Sequence, residues 1–190
     1  GYDILLRALA ALPAGLNWRL THIGGGPLRP ALERQARDLG LAARIDWRGA
    51  QAQAEVLRHY RAADLFVLAS RIAGDGDRDG LPNVLMEAQS QGLACLSTRI
   101  AAIPELITDG ENGVLVAAGD PEALAGALAR LIADPAERRR LGAAGQQRIR
   151  ADFDMKGGID TLVRLLGGDP ADPASEPRAL DRIPAGKAAE

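Results

Sequence analysis

The sequence predicts an α/β fold of Rossmann-like type, a doubly wound parallel sheet. Three observations carry that expectation. Hydrophobic spacing alternates between a helical and an extended period along the chain. Two extended stretches, "DLFVLAS" (64–70) and "LACLST" (93–98), are nearly continuous apolar runs, as strands covered on both faces are. Glycine and proline punctuate the ends of these stretches, and the βαβα order calls for parallel strands joined by crossover helices.

Taken in order, "YDILLRALAAL" has apolar residues at helical spacing and stops at "PAG". "WRLTHI" (18–23) is β-rich and runs into "GGGP". Pro27 stands where a helix starts, and "LRPALERQARDLG" carries that helix to a Gly40 cap. "ARIDWRG" reads as a short strand, "QAEVLRHYRAA" as an amphipathic helix and 64–70 as a buried strand. An acidic loop and a helix from about Asn83 to Gln91 follow. "LACLST" is the next strand, "AIPELI" a turn of helix and "NGVLVA" a final strand. Three helices close the pattern: "PEALAGALARLIA", "PAERRRLGAAGQQRIRADF" and "MKGGIDTLVRLL". From Gly167 the chain is rich in proline, alanine, glycine and charge without periodicity, which predicts a disordered tail over 167–190. The domain is thus expected over 1–166. Its opening helix has no strand to cross over from, so the sequence reads as part of a longer protein whose first strand lies outside it.

The bulk values narrow the function. With 47% hydrophobic residues and a net charge of −2 over 190 residues, the chain has the balance of a soluble domain with its own core. It lacks the basic excess of a nucleic-acid binder. No apolar run approaches a membrane-spanning length. The single cysteine, Cys95, cannot form an internal disulfide, and a cytoplasmic compartment is expected.

The stretch "AGDGDRDGLPNVLMEAQS" (73–90) carries the chemistry. Asp75, Asp77, Asp79 and Gly80 imitate a calcium loop, but its twelfth position is Met86. Glu87 arrives one residue late, turned by about 100° on a helix, and a strand rather than a helix precedes the loop. The D-x-D strings could hold a divalent ion, but such strings are common in solvated loops. Asp79 and Glu87 fit a different site. Asp79 lies in the loop before a helix and Glu87 one turn inside it. The backbone N–H groups between them have no helical partners and sit at the positive end of the helix dipole, as a phosphate requires. Two carboxylates beside such a mouth can grip hydroxyls. Spacing alone leaves a second reading open, in which Asp77 or Asp79 caps the helix.

"DGLPNVLMEAQSQGLACLSTRIAAIPELITDGENGVLV" resembles the family-4 glycosyltransferases of the GT-B fold, in their carboxy-terminal, donor-binding domain. The match covers an E-x7-E element, the strand after it and a P-E-[LI]-[IV]-x-[DN]-G-x-[NT]-G segment. Upstream, "HIGGGPLRPALERQARDLGLAARIDWRGAQAQAEVLRHYRAADLFVLAS" is similar to the family's G-x-G-P helix, V-x-F-x-G strand and A-D-x-x-V-x-P-S strand. The wording of "GDRDGLPNVLMEA" is closest to members that build exopolysaccharides such as colanic acid.

The resemblance implies one half of a two-domain enzyme that transfers a sugar from a nucleotide diphosphate donor, with retention at the anomeric carbon, to a glycan or lipid-linked acceptor at the inner face of the plasma membrane. It implies no cofactor and no metal. Asp79 stands where the family's first glutamate contacts the transferred sugar, one methylene shorter. Glu87 stands where the second holds the ribose hydroxyls. The loop Gly80, Leu81, Pro82 leads to the Asn83 and Val84 amides, which would face the diphosphate; Pro82 has no N–H. Trp47, Arg48 and Gly49 would border the base, and Gly24, Gly25 and Gly26 would let backbone approach the donor. The family's arginine and lysine that neutralise the diphosphate fall ahead of Gly1, as does the acceptor-binding amino-terminal domain.

The remaining features read as structure. His59 belongs to an amphipathic helix, and His22, at a strand end near the glycine loop, is the better functional candidate of the two histidines. Cys95 reads as core. "GGGP" lacks the third glycine of a dinucleotide fingerprint, which counts against a nicotinamide oxidoreductase. The alternative function is a non-enzymatic nucleotide-binding module that keeps the fold.

Overall fold

Local rules place the helices. In the computed structural model, which describes residues 1–74, 76 and 80–153, the elements are α1 (Tyr2–Ala10), β1 (Leu20–Ile23), α2 (Arg29–Asp38), β2 (Ile45–Gly49), α3 (Gln53–Ala62), β3 (Phe66–Leu68), α4 (Asn83–Ser90), β4 (Cys95–Thr98), α5 (Ile103–Leu106), β5 (Val114–Val116), α6 (Pro121–Ala133) and α7 (Pro135–Asp152). Helix α2 ends as its sequence predicts: Gly40 takes φ +72°, and the Leu41 N–H donates back to the Ala36 carbonyl at 2.8 Å, closing the last turn. Its proline is Pro30, inside the first turn, rather than Pro27. Helix α6 opens on Asp120, whose carboxylate accepts from the Glu122 and Ala123 amides at 3.0 and 2.9 Å, with Pro121 next in line.

All strand pairs are parallel, as predicted, but they form two ladders: β1 with β2, and β3–β4–β5. Strand β4 is buried along its whole length because strands cover both its edges. Strand β3, expected to be buried, is only half-buried. It pairs with β4 on one edge and meets a groove on the other. The final helix of the sequence reading, the boundary at 166 and the tail 167–190 fall outside the described residues.

The core unites the layers within Gly1–Ala151, the larger of two compact units. Helix α1 buries Ile4, Leu5, Leu6, Ala8 and Leu9, and packs on α6, which buries Leu124, Leu128 and Leu131. Leu96, Val114 and Leu141 complete the same cluster. Cys95 is fully buried and burial pushes its thiol up, which makes it a core residue. No described helix is long and apolar enough to cross a membrane.

Candidate functional site

Parallel strands bring their carboxyl ends to one edge, and the loops there are stitched together in pairs. The Gly24 N–H donates to the Gly49 carbonyl at 2.8 Å, joining the loops after β1 and β2. The Ala102 N–H donates to the Gly80 carbonyl at 3.2 Å, joining those after β3 and β4. Thr98 Oγ1 and Ser97 Oγ donate to the Ser70 and Leu68 carbonyls at 2.6 and 2.8 Å. Gly24 and Gly26 have φ +137° and +132°, values an L side chain rarely adopts, and Gly25 and Gly26 are exposed.

Helix α4 starts from this edge. Its N-cap is Pro82, which is buried and offers no side-chain cap. The Leu85 N–H returns to the Pro82 carbonyl at 3.0 Å. Asn83 and Val84 are exposed, and their N–H groups, first and second in the helix, have no intrahelical acceptor. Gly80 is exposed and Leu81 half-buried. Asp79, with Asp75, Asp77 and Arg78, lies outside the described residues.

Glu87 sits one turn along, half-buried and on the same helix face as Val84. A residue that sequence reasoning did not select stands beside it. Tyr60, from α3, lies close enough to the Glu87 carboxylate to feel its charge, and its ring meets Phe66 edge-on at 5.6 Å. Burial first, then the Glu87 charge, pushes the Tyr60 phenol up to about 12. Val56 and Tyr60, four apart on α3, mark an inward helix face. That spacing was the only trace of Tyr60's place in the sequence.

Glu87, Val84, Tyr60 and His22 line one groove of about 810 Å³. Trp47 does not. It lines a separate depression of about 350 Å³ with Arg29, Glu33 and Arg37. Arg29 donates to the Trp47 carbonyl at 3.2 Å and to Glu33 at 2.7 Å. Arg48 is exposed, its Nε 2.6 Å from Asp46. Gly49 closes β2 at the stitched loop.

His22 is buried between two rings, Tyr2 at 4.7 Å and Trp47 at 5.0 Å, and its Nδ1 has no partner among the described residues. Burial, with Arg29 adding to it, holds the imidazole below its ordinary 6.5. Folding therefore favours neutral His22. That contribution is complete above pH 6.5 and is lost as pH falls through the lowered value. The urea midpoint should drop between pH 7 and 5, and His22→Phe, which keeps a ring between Tyr2 and Trp47, should flatten that slope. An unchanged slope would remove His22 as its source.

Among the described residues no group of three or more His, Cys, Asp or Glu is placed to hold a metal ion.

Comparison with known proteins shows what the chain resembles. A family model described as "Glycosyl transferases group 1" matches residues 1–134. The chain is 34% identical over 171 residues to a GDP-mannose-dependent alpha-(1-6)-phosphatidylinositol monomannoside mannosyltransferase of Mycolicibacterium smegmatis, covering 88% of this chain and 44% of that protein. It is 35% identical over 170 residues to the putative colanic acid biosynthesis glycosyltransferase WcaL of Salmonella typhimurium, covering 87% and 41%. The chain thus spans less than half the length of these relatives. Among solved structures, the C-terminal domain of a glycosyl transferase group 1 family protein (LpcC) from Francisella tularensis superposes with a TM-score of 0.71 at 26% identity. That likeness covers 82% of this chain and 80% of that one.

Proposed function

Because the chain belongs to the group 1 glycosyl transferases, we propose that it is the donor-binding half of an enzyme that moves a hexose from a nucleotide diphosphate sugar to a cell-surface glycan or its lipid-linked precursor, with retention at the anomeric carbon. The observation that carries this reading is the mouth of α4: two exposed helix-start residues, Asn83 and Val84, with the Glu87 carboxylate one turn behind them, at the carboxyl edge of parallel strands. The names of the mannosyltransferase and colanic acid relatives support the substrate class.

Each group then has a task. The Asn83 and Val84 amides face the diphosphate and stabilise the charge that grows on it as the sugar departs, without reorganising at the moment of reaction. Glu87 accepts from the ribose hydroxyls. The turn at Gly24, Gly25 and Gly26 lets backbone approach the donor, and the strand end at Trp47, Arg48 and Gly49 borders the base. Asp79 contacts the transferred sugar. Residues 1–166 form the nucleotide-sugar-binding domain. A second, acceptor-binding domain closes the cleft and excludes water, so that transfer beats hydrolysis. The enzyme works on the cytoplasmic side, at the inner face of the membrane where lipid-linked acceptors stand.

Titration calorimetry of the folded chain with GDP and with UDP tests the binding half of this reading. The expected result is weak binding of one of them, with Kd on the order of a millimolar, and negligible sugar transfer by the chain alone. No heat with either nucleotide would refute the reading.

A further inference from the structure

The loop that runs from β3 to α4 is held near both of its ends by one short turn. Near its start, Thr98 Oγ1 donates to the Ser70 carbonyl at 2.6 Å. Near its end, the Ala102 N–H donates to the Gly80 carbonyl at 3.2 Å. Thr98 and Ala102 bound the turn that leads from β4 into α5.

That turn contains an outlier. Ala101 has φ +49°, the one positive value among the described residues that are not glycine. In this left-handed conformation the Cβ crowds the following carbonyl oxygen, which is why glycine and asparagine are the usual occupants. Nothing in "RIAAIPEL" asks for it, since alanine favours the right-handed helix. The anchors on either side impose it. Thr98 closes a strand that is buried throughout, and Ile103 opens α5 at 1% exposure. Residues 99–102 must carry the chain from one core position to the next. The Ile100 N–H returns to the Thr98 carbonyl at 3.0 Å and the Ile103 N–H to the Ile100 carbonyl at 3.1 Å. Strain that its surroundings over-determine in this way points to something the strained residue holds in place.

What Ala101 holds is the next amide. The Ala102 N–H lies in the peptide plane between these two residues, and the Ala101 dihedral angles set the direction of that plane. A move of Ala101 to the right-handed or extended region would swing the N–H away from Gly80. From Gly80 to the first residue of α4 the link is short and stiff. Pro82 is buried and fixed at φ −65°, and Leu81, ahead of a proline, is confined to extended conformations. Where the Gly80 carbonyl is held, the Asn83 and Val84 amides follow.

We propose that the turn 98–102 is a clamp on the β3–α4 loop, and that Ala101 is its positioning residue: its left-handed conformation aims the Ala102 N–H at Gly80 and so sets the mouth of α4. The consequence for nucleotide binding rests on the function proposed above; the setting of the mouth does not.

Variants of Ala101 separate conformation from bulk. Valine and asparagine are similar in size, but a β-branched residue resists the left-handed region, whereas asparagine and glycine enter it. In Ala101→Val the Ala102 amide should exchange with solvent at least about tenfold faster than in the parent. The NMR resonances of the Asn83 and Val84 amides should move. Titration calorimetry should show whichever of GDP and UDP the parent takes bound at least about tenfold more weakly. Ala101→Asn and Ala101→Gly should match the parent in all three readouts. A merely structural role would lower the urea midpoint of the valine variant and leave the Asn83 and Val84 amides where they are, and that result would overturn the proposal. Equal effects of valine and asparagine would overturn it too, as would a freed Ala102 amide with unchanged nucleotide affinity. If the valine variant does not fold, Thr98→Val, which removes the clamp's other bond with little change of shape, must move the same two amides; unmoved amides would overturn the clamp. A parent that binds neither nucleotide would refute the proposed function alone, and the amide readouts would still decide the place of Ala101.

Discussion

Gly142→Ala will destabilise the protein by about 1–2 kcal/mol, while Gly126→Ala, the same change one helix earlier, will stabilise it. Both glycines are interior to helices, where alanine by itself is favoured by about 1 kcal/mol. What differs is the neighbour. At Gly126 an added Cβ meets nothing within 4 Å. At Gly142 it would stand 2.1 Å from the Gly92 carbonyl oxygen, 3.0 Å from the Gly92 carbonyl carbon and 3.2 Å from the Ala94 nitrogen. All three are backbone atoms, which cannot swing aside as a side chain can.

Gly92 itself is pinned. It has φ +75°, and it sits in the turn where the Leu93 N–H donates to the Ala88 carbonyl at 3.2 Å. Either α7 lifts off that turn or the turn moves, and overpacking of this kind typically costs 1–3 kcal/mol and occasionally more. The turn is also the tail of α4, tied to α7 by the Gln146 amide donating to the Ser90 carbonyl at 2.9 Å. Urea denaturation of both variants checks the two signs. Equal midpoints would show that the α7 contact is not tight.

The contrast marks where sequence reading succeeds. Helix α6 was legible because its signals are local: Asp120 as cap, Pro121 in the first turn and an apolar face at helical spacing. The parallel arrangement was legible from the apolar runs at 64–70 and 93–98. The split into two ladders was not, because no local pattern in "LTHI" or "FVL" states whether a neighbour stands at each edge. Strand β3 is half-buried for that reason, although its residues are those of a central strand. The close approach of Gly142 to Gly92 was equally invisible, since it depends on which distant turn α7 meets. At the site, the start of α4 at about Asn83, with Glu87 one turn inside it, was legible from local spacing. Tyr60 was not, because its relation to Glu87 exists only once the fold brings these two distant residues to one groove.

That relation shapes the second large effect. Glu87→Gln should weaken binding of whichever nucleotide the chain takes by about ten- to a hundredfold, since hydrogen bonds to a charged partner are worth about 1.5–3 kcal/mol and each 1.4 kcal/mol is a factor of ten. Tyr60→Phe should weaken it less, because Tyr60 acts on the ligand only by holding the carboxylate in place. The double variant should therefore bind about as poorly as Glu87→Gln alone, the non-additivity expected of two coupled neighbours.

Stability provides the control. The Tyr60 phenol is pushed up to about 12 from an ordinary 10, so folding favours its neutral form. Its contribution is complete below pH 10 and is lost as pH rises toward 12, and Tyr60→Phe should lose less stability over that interval. Calorimetry and urea midpoints on the same three variants separate two roles for Glu87. If Glu87→Gln binds nucleotide as well as the parent while its midpoint falls, Glu87 is the structural partner of Tyr60 and no ribose ligand. If binding falls while the midpoint holds, the carboxylate faces the donor, and Tyr60 is the residue that aims it.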